Sequence, residues 1–127
     1  MPKMSIPRSA GQLPKPEGYP DTLDDYGITS HVIGATPGEA DEEFILEFFR
    51  GSSAKLIYVP IEELRPGPKE NNIRYPGREK SYSQMPLSTM PPLVIEHGEI
   101  LDGNHRYRVA KSMNASGLWC YDIEEQY

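Results

Sequence analysis

The sequence predicts a small α+β domain, a mixed β-sheet packed with helices, together with an irregular N-terminal extension and one added helix. Three stretches predict it. Leu56-Ile57-Tyr58-Val59, inside Ala54 to Pro60, is a nearly continuous apolar run, as in strands buried on both faces. Leu93-Val94-Ile95 and Glu99-Ile100-Leu101 flank His97-Gly98, a two-residue hairpin turn that lets glycine take a positive φ. Asp102-Gly103 breaks the second of these strands, and Asn104 starts a helical pattern. Val109, Ala110 and Met113 share one face of that helix, and Arg106 lies on the same face one turn earlier.

A chain of 127 residues fits one compact domain, large enough to hold without disulfides or a metal. Its apolar fraction of 37%, with 13 prolines and 11 glycines, points to a small core with long irregular segments. A net charge of −6 disfavours wholesale binding to nucleic acid or to an anionic membrane. The one cysteine, Cys120, excludes an internal disulfide and fits a reducing compartment. No apolar run approaches the roughly 20 residues of a membrane helix, and the N-terminus has no apolar signal core. The expectation is a cytoplasmic protein with no membrane partner.

In chain order, residues 1–35 read as a proline-rich arm, and residues 36–127 as a single domain. Pro2, Pro7, Pro14, Pro16 and Pro20 favour extended backbone in the arm. Tyr19, Leu23 and Tyr26 are positioned to pin it to the body, and Ile28 to Ile33 reads as a short edge strand. A helix follows, with Thr36 as cap, Pro37 at its first position and Glu39 closing a capping box. Glu39, Asp41, Glu42 and Glu43 suit the positive end of its dipole. Phe44, Ile45, Phe48 and Phe49 form its expected buried stripe, and Gly51 stops it. After the Ala54 to Pro60 strand, Ile61 to Leu64 makes one helical turn that drops Ile61 and Leu64 inward. Leu118 to Ile123 is the last strand, in which Cys120 reads as a buried structural thiol.

Two regions carry the functional reading. Residues 65–92 form a long irregular segment with six prolines, and such segments in small domains tend to be functional or disordered. Between Arg65 and Lys80, five bases (Arg65, Lys69, Arg74, Arg78, Lys80) face two acids, whereas in residues 1–50 four bases face nine acids. The molecule is polarised, with an acidic front and a basic loop. The second region is the helix opening Gly103-Asn104-His105-Arg106. A small backbone with outward N–H groups lies there beside two donor side chains, which makes an anion cradle. Arg106 has an alternative role as a buried ion pair with Glu62 or Glu63. Asp102 has one as the N-cap of the helix, accepting from the His105 backbone. His31, His97 and His105 form no recognisable zinc spacing.

Several of these residues occur in a familiar order. Val59-Pro60-Ile61, Arg65-Pro66, Pro91-Pro92 before the hairpin, and Asp102-Gly103-Asn104-His105-Arg106-Tyr107 followed by Ala110 together resemble the ParB/sulfiredoxin superfamily. Sulfiredoxins carry Gly-Cys-His-Arg-Tyr at the matching corner, free serine kinases carry Asp-Gly-His-Thr-Arg, and ParB proteins carry Gly-Glu-Arg-Arg. The match covers residues 55–123. The resemblance implies a nucleotide, ATP or ADP, with its phosphates over the helix N-terminus on Gly103, Asn104, His105 and Arg106. The local charge of the basic loop adds Arg78 and Lys80, closing on them. The resemblance also implies Glu62 or Glu63 as general base, His105 as a further catalytic donor, and Asp102 beside the phosphates, holding Mg2+ or a hydroxyl group. Asn104 stands where sulfiredoxin has its reactive cysteine, so that chemistry is not expected here.

Three functions follow as expectations. The first is a nucleotide hydrolase or phosphotransferase, working by positioning and charge stabilisation. The second is a plasmid- or phage-type nucleic-acid-processing or partition-related factor. The third is a non-catalytic module whose proline-rich arm and acidic helix meet a protein partner.

Overall fold

A computed structural model describes residues 13–35, 41–67, 84 and 86–124. It is a mixed α+β structure built on a five-stranded sheet. In chain order the elements are β1 (Thr22–Leu23), α1 (Asp25–Ala35), α2 (Glu42–Phe49), β2 (Ser53–Pro60), a 3-10 turn (Ile61–Glu63), a second 3-10 turn (Leu87–Thr89), β3 (Leu93–Glu96), β4 (Glu99–Asp102), α3 (Asn104–Ser112) and β5 (Gly117–Glu124).

The strand order is β1-β2-β5-β3-β4. All neighbours are antiparallel except β3 and β5, which run parallel with Leu93 opposite Cys120 and Ile95 opposite Asp122. A parallel pair needs a crossover. Here β4 and α3 supply it, so the predicted corner is the link that makes the sheet mixed.

Side-chain alternation divides the core into two layers. Val59, Leu93, Ile95, Ile100, Leu118 and Cys120 point to the face that packs with Tyr107, Val109 and Ala110 of α3. Ala54, Leu56, Val94, Tyr121 and Ile123 point to the other, against Ile28 and Val32 of α1 and Phe49 of α2. Burial on both faces is the physical reason that β2 and β5 read as apolar runs.

The hairpin forms as expected, with both turn residues in the left-handed region, His97 at φ 52° and Gly98 at φ 82°. The 3-10 turn buries Leu64 and half-buries Ile61. α3 buries Arg106, Tyr107, Val109 and Ala110, whereas Met113, expected on that face, is 45% exposed. Met113 lies past the last helical residue, where the chain turns out through Asn114 at φ 59°.

The N-terminal region departs most from expectation. Asp25–Ala35 is a helix, not an arm ending in an edge strand, and Ile28 at its centre is fully buried. Residues before it are held by side chains of β5: Trp119 Nε1 donates to the Leu13 carbonyl at 2.9 Å, and Tyr121 Oη to the Pro20 carbonyl at 2.7 Å. Tyr19 and Leu23 pack on the core as expected, but Tyr26 stays exposed. In α2 the described cap is Asp41, whose Oδ1 accepts from the Phe44 N–H at 3.1 Å. The expected Thr36-Pro37-Glu39 start lies outside the described residues. Of the expected stripe, Phe49 is buried and Ile45 half-buried, whereas Phe44 and Phe48 are exposed. The apolar arc of this helix is wider than the surface it packs on. Among the described residues no helix is long and apolar enough to cross a membrane.

Candidate functional site at the β4–α3 corner

The corner is set by Gly103, at φ 118° and ψ 21°. A Cβ there would meet Leu93 Cγ at 2.6 Å and Arg106 Nη2 at 3.1 Å. Left-handed backbone and core packing both demand glycine. Gly103 occupies the N-cap position without a side-chain cap, so Asp102 is not the N-cap. The helix body begins with the bond from the Tyr107 N–H to the Gly103 carbonyl, at 2.9 Å. The opening turn ahead of it carries the positive end of the helix dipole.

Arg106 points into the protein and is 2% exposed. Its Nη1 donates to the carbonyls of Pro91 and Pro92, both at 2.9 Å, and its Nη2 donates to Asp102 Oδ2 at 2.9 Å. Of the two roles open in the sequence, this is the buried ion pair, and its partner is Asp102 instead of Glu62 or Glu63. The expected phosphate contact from Arg106 is corrected accordingly. To reach a ligand this guanidinium would have to leave a carboxylate and two prolyl carbonyls.

The same geometry bears on Asp102 as a metal ligand. Its Oδ2 is 2.9 Å from a buried guanidinium nitrogen, so a magnesium ion on this carboxylate would be repelled by a fixed positive charge. The residues present do not fit a magnesium site centred on Asp102. Among the described residues no group of three His, Cys, Asp or Glu is placed to hold a metal ion.

Asn104 is 4% exposed, and its Oδ1 accepts from the Gly67 N–H at 3.2 Å. This bond ends a short run of chain laid along the sheet edge. The Arg65 N–H donates to the Gly98 carbonyl and the Ile100 N–H donates to the Arg65 carbonyl, both at 2.9 Å, in a parallel bridge to β4. A Cβ on Gly67 would sit 2.2 Å from the Ile100 carbonyl oxygen, so only glycine passes that close. Residues 65–67 therefore cover the β4 edge and arrive at the first residue of α3. The next stretch of sequence holds the basic residues, and Arg78 and Lys80 lie outside the described residues. His105 and Arg108 are half-buried on the same helix.

The turn that carries Glu62 and Glu63 runs from Ile61, whose N–H donates to the Ser116 carbonyl at 3.0 Å, toward the hairpin. The carbonyl of Glu63 lies beside Gly98, where an added Cβ would approach it to 2.8 Å, so the turn ends at the hairpin end of β4. The glycine corner is at the other end, about 16 Å away along the strand. A general base must stand within hydrogen-bond reach of its proton, and the backbone of Glu63 lies toward the hairpin end.

Two features went unread in the sequence. The Pro91 and Pro92 carbonyls are the acceptors that satisfy Arg106. The available signal was a buried arginine in need of acceptors next to prolines outside any ladder. His31 Nε2 also bonds the Pro92 carbonyl, at 2.7 Å, and since a carbonyl only accepts, that nitrogen carries the proton. The His31 ring stands edge-on to Tyr19 and Tyr121, at 5.6 and 5.0 Å between centroids. One carbonyl thus ties α1 on one face of the sheet to α3 on the other. Comparison with family models and with curated proteins returned no match to this chain.

Proposed function

We propose that this is a ParB/sulfiredoxin-like domain that binds the phosphates of a nucleotide, ATP or ADP, between the opening turn of α3 and the basic segment that follows Gly67. The observation that carries the reading is the Asn104–Gly67 hydrogen bond. It anchors the start of the basic stretch on the first residue of a helix whose positive dipole end faces the same way. His105 adds a donor there, and Arg78 and Lys80 supply charge that the rest of this acidic chain lacks. Arg106 and Asp102 hold the corner in shape from behind and do not touch the ligand.

A thermal-shift panel of nucleotides, run with and without magnesium, tests this. One nucleotide should raise Tm saturably. The rise should shrink in His105→Ala and in the double variant Arg78→Ala/Lys80→Ala. Arg106→Ala is unsuitable because it removes a buried structural tie. Oligonucleotide binding with a steep salt slope and no response to mononucleotides would replace this reading with a nucleic-acid one. No response to either would remove it.

A further inference from the structure

We propose that α2 and the groove beside it form a docking surface for a basic amphipathic segment of a partner protein. Phe44 and Phe48 stand one turn apart on α2 and are 68% and 61% exposed. On one side of this ridge is a groove of about 340 Å³ whose apolar walls come from Val32 of α1, Ile45 and Phe49 of α2, and Leu101 of β4. Adjacent exposed aromatic rings over an open apolar groove are the kind of surface that marks an interaction site on a small protein.

Charge selects the occupant. At 100° per residue, Glu43 and Glu47 border the ridge on the side away from the groove. Asp41 and Glu42 lie at the N-terminal end of the helix, and all four acids are exposed. The single base on this segment, Arg50, is already paired with Glu47 at 2.9 Å. Arg50 offsets Glu47, and Asp41, Glu42 and Glu43 keep this end of the helix acidic. An apolar ridge beside that charge suits a chain that carries apolar side chains at i and i+3 or i+4, with lysine or arginine alongside. A second copy of this chain is disfavoured, since it brings a net charge of −6 to an acidic face. The proposal is independent of nucleotide binding.

The test is a titration of the 15N-labelled full chain with a synthetic helical peptide that has leucine on one face and lysine on the other. Two control peptides replace lysine by glutamate or leucine by serine. Amide shifts should cluster at Val32, Phe44, Phe48 and Leu101. Affinity should fall about tenfold or more with either control peptide. It should fall similarly for Phe44→Ser/Phe48→Ser, which keeps the fold by circular dichroism and loses only the Phe48 edge contact with Phe49. The proposal is overturned by equal affinity for the lysine and glutamate peptides, by shifts centred elsewhere, or by binding that ignores the double variant. It is also overturned if sedimentation shows a dimer that the double variant dissolves, because the occupant is then a second copy.

Discussion

At the scale of single residues, Arg106 is the most consequential side chain described. It satisfies Pro91, Pro92 and Asp102 at once. Arg106→Ala should lower unfolding free energy by about 3 kcal/mol, because it takes the guanidinium from a partly buried carboxylate and the donor from the Pro91 carbonyl, while the Pro92 carbonyl keeps His31. Arg106→Lys should recover less than half of that, since an ammonium cannot span the same fork of acceptors. Urea denaturation measures both, and a loss under about 1 kcal/mol for Arg106→Ala would show that the network does not hold the corner.

Cys120 gives a second residue-level prediction. Burial pushes its thiol up to about 12, against a smaller downward pull from Arg106. The thiol should therefore resist a disulfide reagent at neutral pH and react rapidly once urea unfolds the chain. Fast reaction in the native protein would contradict the packing of β5.

His31 gives a third. Burial holds its imidazole below the ordinary 6.5; the Arg106 charge acts in the same direction, and the bond to Pro92 opposes it. Because the folded value is the lower one, the unfolded chain takes up this proton first as pH falls. The stability from neutral His31 is fully present above 6.5 and is lost progressively below it, toward the folded value. Tm should drop between about pH 7.5 and about pH 5.5, and His31→Gln should drop less. Equal slopes for the two proteins would rule out this linkage.

At the scale of elements, glycine position separates constraint from tolerance. Gly103→Ala puts a Cβ 2.6 Å from Leu93 at φ 118°, and should cost about 2 kcal/mol or more. Gly34, on the exposed side of α1, has nothing within 4 Å of an added Cβ. Gly34→Ala should stabilise by roughly 0.5 kcal/mol through helix propensity. Thermal denaturation of the pair checks both signs.

The same scale explains what could be read in advance. The hairpin and corner were legible because His97-Gly98 and Asp102-Gly103 are local turn chemistry, and β2 and β5 because burial on both faces writes continuous apolar runs. α1 was not. Its sequence, Asp25-Tyr-Gly-Ile-Thr-Ser-His-Val-Ile-Gly-Ala35, has two glycines and four β-branched residues, and it becomes a helix through the packing of Ile28 and Val32. Phe44 and Phe48 matched a buried stripe in pattern, but only the fold decides how much of a stripe is covered. The run of residues 65–67 along β4 is a long-range pairing with no local signature.

At the scale of the whole molecule, two helical layers clasp one sheet, and the Pro92 carbonyl joins them at the end where β3 begins. An acidic α2 lies on one side of that sheet, and the segment leading into the basic stretch meets α3 on the other. The measurement that tests the central claim most directly is a 1H-15N titration of the intact chain with ADP and ATP. The account predicts amide shifts centred on Gly67, Gly103, Asn104 and His105, saturating with one nucleotide per chain. A corner whose amides stay still at millimolar nucleotide, with or without magnesium, would contradict it.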